Sequence, residues 1–170
     1  MNIVINKNNA QINDDWSIFR KVRAIIKNND KYAITEEGGK VIFPGGKCDK
    51  DEDFDDAIIR ELEEETGISF EKNSLENILT LETYYEDFYN YRISKEAPRY
   101  TITKYYYVET TSDINKSNQS LTTSEINENF NIKFVTKEEL IKLLNIDHSS
   151  SVNGKFFDEE NKVILENILK

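Results

Sequence analysis

Residues 43–68 read FPGGKCDKDEDFDDAIIRELEEETGI. Pro44-Gly45-Gly46 ends a short apolar run, Val41-Ile42-Phe43, and opens a loop rich in Asp. The pattern then predicts a helix from Asp53 to Thr66, with an acidic first turn and Gly67 where a left-handed C-terminal cap belongs. At about 100° per residue, Phe54, Ala57, Ile58 and Leu62 form one stripe that must face a core. On the same wheel Glu61 and Glu65 fall within roughly 40° of the stripe's centre, with Glu64 at its border and Glu63 opposite. A greasy inner face therefore continues into carboxylates. Acids gathered on a partly buried face repel one another and pay desolvation unless a cation neutralises them. An all-oxygen donor set suits Mg²⁺ or Mn²⁺.

A solvated charge run at a helix end is the ordinary reading of such an acidic stretch. The spacing argues against it here. Gly46, Glu52, Arg60, Glu61, Leu62, Glu64, Glu65, Gly67 and Ile68 fill every defined position of a pattern that resembles the Nudix box. That resemblance implies an α/β fold, an α/β/α sandwich with a mixed sheet, as a single Nudix hydrolase domain over residues 1–170. It implies a hydrolase that cleaves a nucleoside diphosphate-X compound, a nucleotide or a dinucleoside polyphosphate, to NMP and P-X. Glu61, Glu64 and Glu65 would hold divalent cations, helped by the Gly45 carbonyl. Arg60 would orient a box glutamate, and Glu52 would support the loop. The general base would be Glu61 or Glu64, or a later acid, with Glu125 ahead of Glu128. The box departs from many members at one point: Asp51 stands where they carry Gly, which makes the loop less permissive.

Outside the box, strands are expected at Ile18–Ile26, Lys31–Ile34, Val41–Phe43, Ile78–Tyr85, Tyr100–Glu109 and Ile132–Val135. The first should place Val22, Ala24 and Ile26 on one face and Arg23 with Ile25 on the other. A long loop containing Pro98 is expected between the fourth and fifth, and a polar surface loop over Thr110–Asn129. Helices are expected at Lys137–Leu144 and Asp158–Leu169.

Composition narrows the partners. Thirty-two acids against 22 bases give a net charge of −10 over 170 residues, which disfavours stable binding to nucleic acid or anionic membrane. An anionic nucleotide substrate then needs a cation to reconcile it with the protein. Cys48 is the one cysteine, so neither an intramolecular disulfide nor a Cys-clustered zinc site can form. The first residues lack the pattern of a secretory signal, and there is no apolar run of about 18 residues. A cytoplasmic domain is expected, with a homodimer left open.

Eight of nine tyrosines lie between Tyr84 and Tyr107, where strand pairing competes with base stacking as the explanation. Tyr85 is the substrate-binding candidate among them. Arg23 is a phosphate-contact candidate, as are Arg92 and Arg99. His148 is expected to be exposed, and Cys48 to be a passive loop residue. Three alternatives stay open: a non-catalytic Nudix-like module, an isoprenoid diphosphate isomerase, and an unrelated acidic metal-binding protein. The intact box acids oppose the first of these, and the lack of a further catalytic Cys and a His cluster opposes the second.

Overall fold

The computed structural model describes residues 1–169. Seven strands form one mixed sheet: β1 (Asn2–Ile5), β2 (Ser17–Asn28), β3 (Lys31–Glu37), β4 (Lys40–Ile42), β5 (Glu76–Asn90), β6 (Lys95–Glu109) and β7 (Asn131–Thr136). Their order is β1-β5-β6-β2-β3-β4, with β7 on β3. β1 runs parallel to β5 and β2 parallel to β6, while the remaining pairs are antiparallel.

The helices are α1 (Phe54–Thr66), the short α2 (Thr123–Asn127), α3 (Lys137–Leu144) and α4 (Gly154–Asn167). Ala57, Ile58 and Leu62 of α1 pack on Val22, Ala24 and Ile26 of β2 with Tyr106 and Val108 of β6. The opposite layer joins Ile25, Ile34, Leu79 and Leu81 to Leu140 and Leu144 of α3 and Ile164 of α4. Alternation along β2 thus feeds both cores, as an α/β/α sandwich requires. Each fully buried Ile or Leu contributes about 1.5–3 kcal/mol of transfer free energy.

α1 is delimited as its sequence dictates. The Asp53 side chain accepts from the Asp55 N–H at 2.7 Å, and Gly67 adopts φ 66°, its N–H donating to the Glu63 carbonyl at 3.0 Å.

The sheet also departs from expectation. β5 and β6 continue past Tyr85 and begin before Tyr100, so the expected long loop shrinks to the turn at 91–94. Pro98 lies within β6 at the register shift between Tyr85 and Phe88, a bulge where its missing N–H breaks no ladder bond. β1, unmarked in sequence, is a short edge strand held by β5. The expected loop over Thr110–Asn129 contains α2, whose Thr122 and Glu125 form a capping box. α4 starts at Gly154, four residues before the expected Asp158. No helix is long and apolar enough to cross a membrane among the described residues.

Candidate active site

β2 and β3 pair only at Lys27–Tyr32 and Asn28–Lys31 before the sheet splits and β3 turns to β4. The freed edge of β2 is taken by the box loop: the Val22 N–H donates to the Gly46 carbonyl at 3.0 Å and the Ala24 N–H to the Pro44 carbonyl at 2.8 Å. Gly45 sits at φ 129°, a region closed to L side chains, and a Cβ there would lie 2.3 Å from the Val22 carbonyl oxygen. Its N–H donates to Glu65 Oε2 at 2.8 Å. Asp51 adopts φ 64°, so the box position often held by Gly keeps the left-handed backbone, with the cost borne by a residue type that tolerates it.

α1 presents its acids as the wheel requires. Glu65 is 4% exposed and Glu61 8%, Glu64 is half-buried, and Glu63 faces solvent. Burial pushes the Glu61 carboxyl above the usual carboxylate range and the Glu65 carboxyl well above it. A Cβ on Gly46 would lie 2.5 Å from the carboxylate carbon and both oxygens of Glu61. Gly46→Ala should therefore displace Glu61 and lower turnover by about 10-fold or more. Steady-state kinetics, with circular dichroism to check the fold, measures this.

Arg60 ties the acids together. Its Nε and Nη2 donate to Glu52 Oε1 and Oε2, both at 2.9 Å, in a bidentate pair. Its Nη1 donates to Glu61 Oε1 at 2.9 Å and Glu64 Oε2 at 3.3 Å. These bonds hold the Glu52 carboxyl below its ordinary pKa and push the Arg60 guanidinium further up. Glu52 also accepts from the Asp49 N–H at 2.8 Å, which ties the loop to α1. Arg23 donates to the Gly45 carbonyl and, at 3.3 Å, to the Phe43 carbonyl.

The resulting cleft, of about 420 Å³, is lined by Glu61, Glu64, Glu65, Arg60, Arg23 and Glu125, among others. Its donors are carboxylate and carbonyl oxygens, which fit a hard divalent cation. Two buried carboxylates with incomplete neutralisation also call for positive charge. In this arrangement no three Asp, Glu, His or Cys side chains among the described residues converge to ligating geometry, since Arg60 holds Glu61 and Glu64 and Arg23 holds the Gly45 oxygen. A cation would have to displace these guanidinium contacts.

The structure brings Glu125 into the cleft through an unexpected route. The segment before α2 caps the last turn of α1: the Asn115 and Ser120 N–H groups donate to the carbonyls of Thr66 and Glu64 at 2.8 and 2.9 Å. Gln119 Nε2 donates to the Glu65 carbonyl. Glu128 lines a neighbouring cavity instead. Tyr85 is not brought to the cleft: it is 5% exposed, packs on Phe156 with ring centroids 4.2 Å apart, and donates to the Phe156 carbonyl. Arg92 and Arg99 line a separate cavity. Tyr84 and Tyr100 face each other across β5 and β6, as strand pairing predicts. Burial raises the Cys48 thiol pKa, which fits a passive residue. His148 is largely buried against Phe157 with Nδ1 2.8 Å from Asp158, because the early start of α4 folds over it.

Lys21 and Glu37, which the sequence did not single out, also line the cleft. Lys21 shares the face of β2 that carries Arg23, so alternation alone marks it.

No curated protein matches the sequence. Among solved structures, the MutT protein from Bacillus halodurans is 17% identical, with a TM-score of 0.54 over 84% of this chain and 82% of that one. A NUDIX hydrolase from Nitrosomonas europaea is 20% identical, with a TM-score of 0.51 over 86% and 90%. At these identities the likeness establishes the shared fold. The profile of the NUDIX domain matches residues 19–154, which takes in the whole box and the strands from β2 to β7 apart from the first two residues of β2. The chain belongs to the NUDIX family, whose hydrolases cleave acid anhydrides.

Proposed function

We propose that this enzyme hydrolyses the diphosphate linkage of a nucleoside diphosphate-X compound to a nucleoside monophosphate and P-X, with Mg²⁺ or Mn²⁺ as cofactor. The observation that supports this most is the burial of Glu61 and Glu65 on the helix face that also carries Leu62, opening onto the cleft beside Gly45. Stability alone would place apolar residues there. Glu61, Glu64, Glu65 and the Gly45 carbonyl are the groups that would hold the cation. Such a cation supplies neutralisation of the diphosphate and polarisation of the bridging linkage.

The chain's own residues do the rest. Arg60 fixes Glu61 and Glu64 at defined positions through its clamp on Glu52. Arg23 offers a guanidinium to the phosphates at the cleft floor. Glu61 or Glu64, or Glu125 at the rim, takes the proton of the in-line water. A second cavity of about 260 Å³, which shares Lys21, Arg23 and Glu37 with the lining of the cleft, would give the nucleoside room.

A panel of nucleoside diphosphate-X compounds incubated with Mg²⁺, read by release of nucleoside monophosphate, tests the proposal. At least one compound should be cleaved in Mg²⁺ and spared in EDTA. Metal-independent cleavage, or none across the panel, would refute it.

A further inference from the structure

The carbonyls of Glu64, Glu65 and Thr66 lie past the last N–H that α1 can offer them. They form the negative end of the helix dipole, in the same turn that carries two of the cleft's carboxylates. No Lys or Arg stands in that turn to offset them. Acids gathered at this end of a helix are at their least favourable position, so the turn needs donors from elsewhere.

One later segment supplies all three. The Ser120 N–H donates to the Glu64 carbonyl at 2.9 Å, the Asn115 N–H to the Thr66 carbonyl at 2.8 Å, and Gln119 Nε2 to the Glu65 carbonyl. The approach is close. A Cβ on Gly67 would lie 2.2 Å from the Asn115 carbonyl oxygen, so the bare glycine serves this docking as well as the left-handed cap. Two of the three donors are backbone groups that almost any residue would provide. Gln119 donates from its side chain, and it is half-buried while its neighbours Asn118 and Ser120 are exposed.

The segment continues across the cleft. Thr122, Ser124 and Glu125 line it, and the far end of α2 is fastened by the Gly38 N–H, which donates to the Glu128 carbonyl at 3.1 Å. A strap therefore runs from the end of α1 to the turn between β3 and β4. Gln119 ties this strap to Glu65, the most buried of the box acids. We propose that Gln119 is a positioning residue for the cation site. Its amide holds the Glu65 carbonyl and so fixes the turn from which the Glu64 and Glu65 carboxylates reach the cleft. Ligand oxygens already in place lose less freedom when a cation arrives, and binding is tighter for it. This deepens the reading of the cleft given above and rests on it.

Gln119→Met keeps the length and removes the donor. Gln119→Lys keeps a donor, of the charge that a helix C-terminus favours. Mn²⁺ binding is followed by electron paramagnetic resonance without substrate, well below the melting transition of each protein. Gln119→Met should weaken Mn²⁺ about 3–10-fold, the loss of one hydrogen bond, and Gln119→Lys should stay within about twofold of the wild type. With a compound that is cleaved, turnover of Gln119→Met at limiting Mn²⁺ should fall by the same factor and recover as Mn²⁺ is raised. Wild-type Mn²⁺ affinity in Gln119→Met overturns the proposal, and a lower melting temperature alone would give Gln119 a purely structural role. Equal weakening in both variants overturns it too, because the donor would then be irrelevant. If the wild type takes up no Mn²⁺, the reading of the cleft fails, and hydrogen exchange in EDTA decides the role of Gln119. The last turn of α1 should exchange faster in Gln119→Met than in the wild type, and equal exchange overturns the proposal.

Discussion

Glu64→Gln and Glu65→Gln should each lower turnover by about 10²–10³-fold while leaving the fold intact. Glutamine keeps the shape and removes the charge. At Glu65 the amide oxygen still accepts from the Gly45 N–H, so the anchor between α1 and the box loop survives. At Glu64 the bond to Arg60 is the longer of that residue's contacts, at 3.3 Å against 2.9 Å to Glu61, so the clamp loses little. What each variant loses is one anionic oxygen aimed into the cleft. Near-wild-type turnover in both at limiting Mg²⁺ would remove these acids from the metal site. A loss accompanied by a changed circular dichroism spectrum would instead assign them to folding.

Metal removal carries the second large effect. Glu61 and Glu65 are both buried, and burial first, with the Glu61 charge adding to it, pushes the Glu65 carboxyl well above the usual carboxylate range. A cation that binds the native state alone stabilises it by RT ln(1 + [L]/Kd), about 2.7 kcal/mol at a hundredfold excess over Kd. For a domain of this size that is roughly 5–10 °C in Tm. Melting curves in EDTA and in millimolar Mg²⁺ or Mn²⁺ should differ by that amount. Glu65→Gln should melt higher than the wild type in EDTA, because a buried, poorly neutralised charge has gone, and should respond weakly to Mg²⁺. Superimposable wild-type curves would mean that the acids bind no cation.

The site was far more legible in the sequence than the periphery. Helical periodicity sufficed to put Glu61 and Glu65 inside and Glu63 outside, because a helix face is fixed by local geometry and the stripe of Ala57, Ile58 and Leu62 is unambiguous. Alternation on β2 likewise sorted Val22, Ala24 and Ile26 from Ile25. Elements that depend on distant partners were read less well. β1 exists because β5 offers it an edge, and β5 and β6 extend beyond their apolar cores because the hairpin pairs across a bulge that accommodates Pro98. α2 carried a readable signal in Thr122 and Glu125, overlooked in a polar segment that composition alone marks as loop. Tyr85 belongs to the core because α4 packs Phe156 against it, a contact 71 residues away in the chain. Lys47 stood inside the quoted box, yet its neighbours Arg92 and Arg99 meet it only once the hairpin folds back over Phe19.

On the proposed function, the cleft beside α1 directs water onto a phosphorus of a diphosphate bridge. Mass spectrometry of the products formed in ¹⁸O-labelled water tests it most directly. With a nucleoside diphosphate-X compound and Mg²⁺, the label should appear in the nucleoside monophosphate or in P-X, and a nucleoside triphosphate should give labelled monophosphate or pyrophosphate without initial orthophosphate. Label found only in orthophosphate released from a terminal position would contradict the account and make the enzyme a phosphatase.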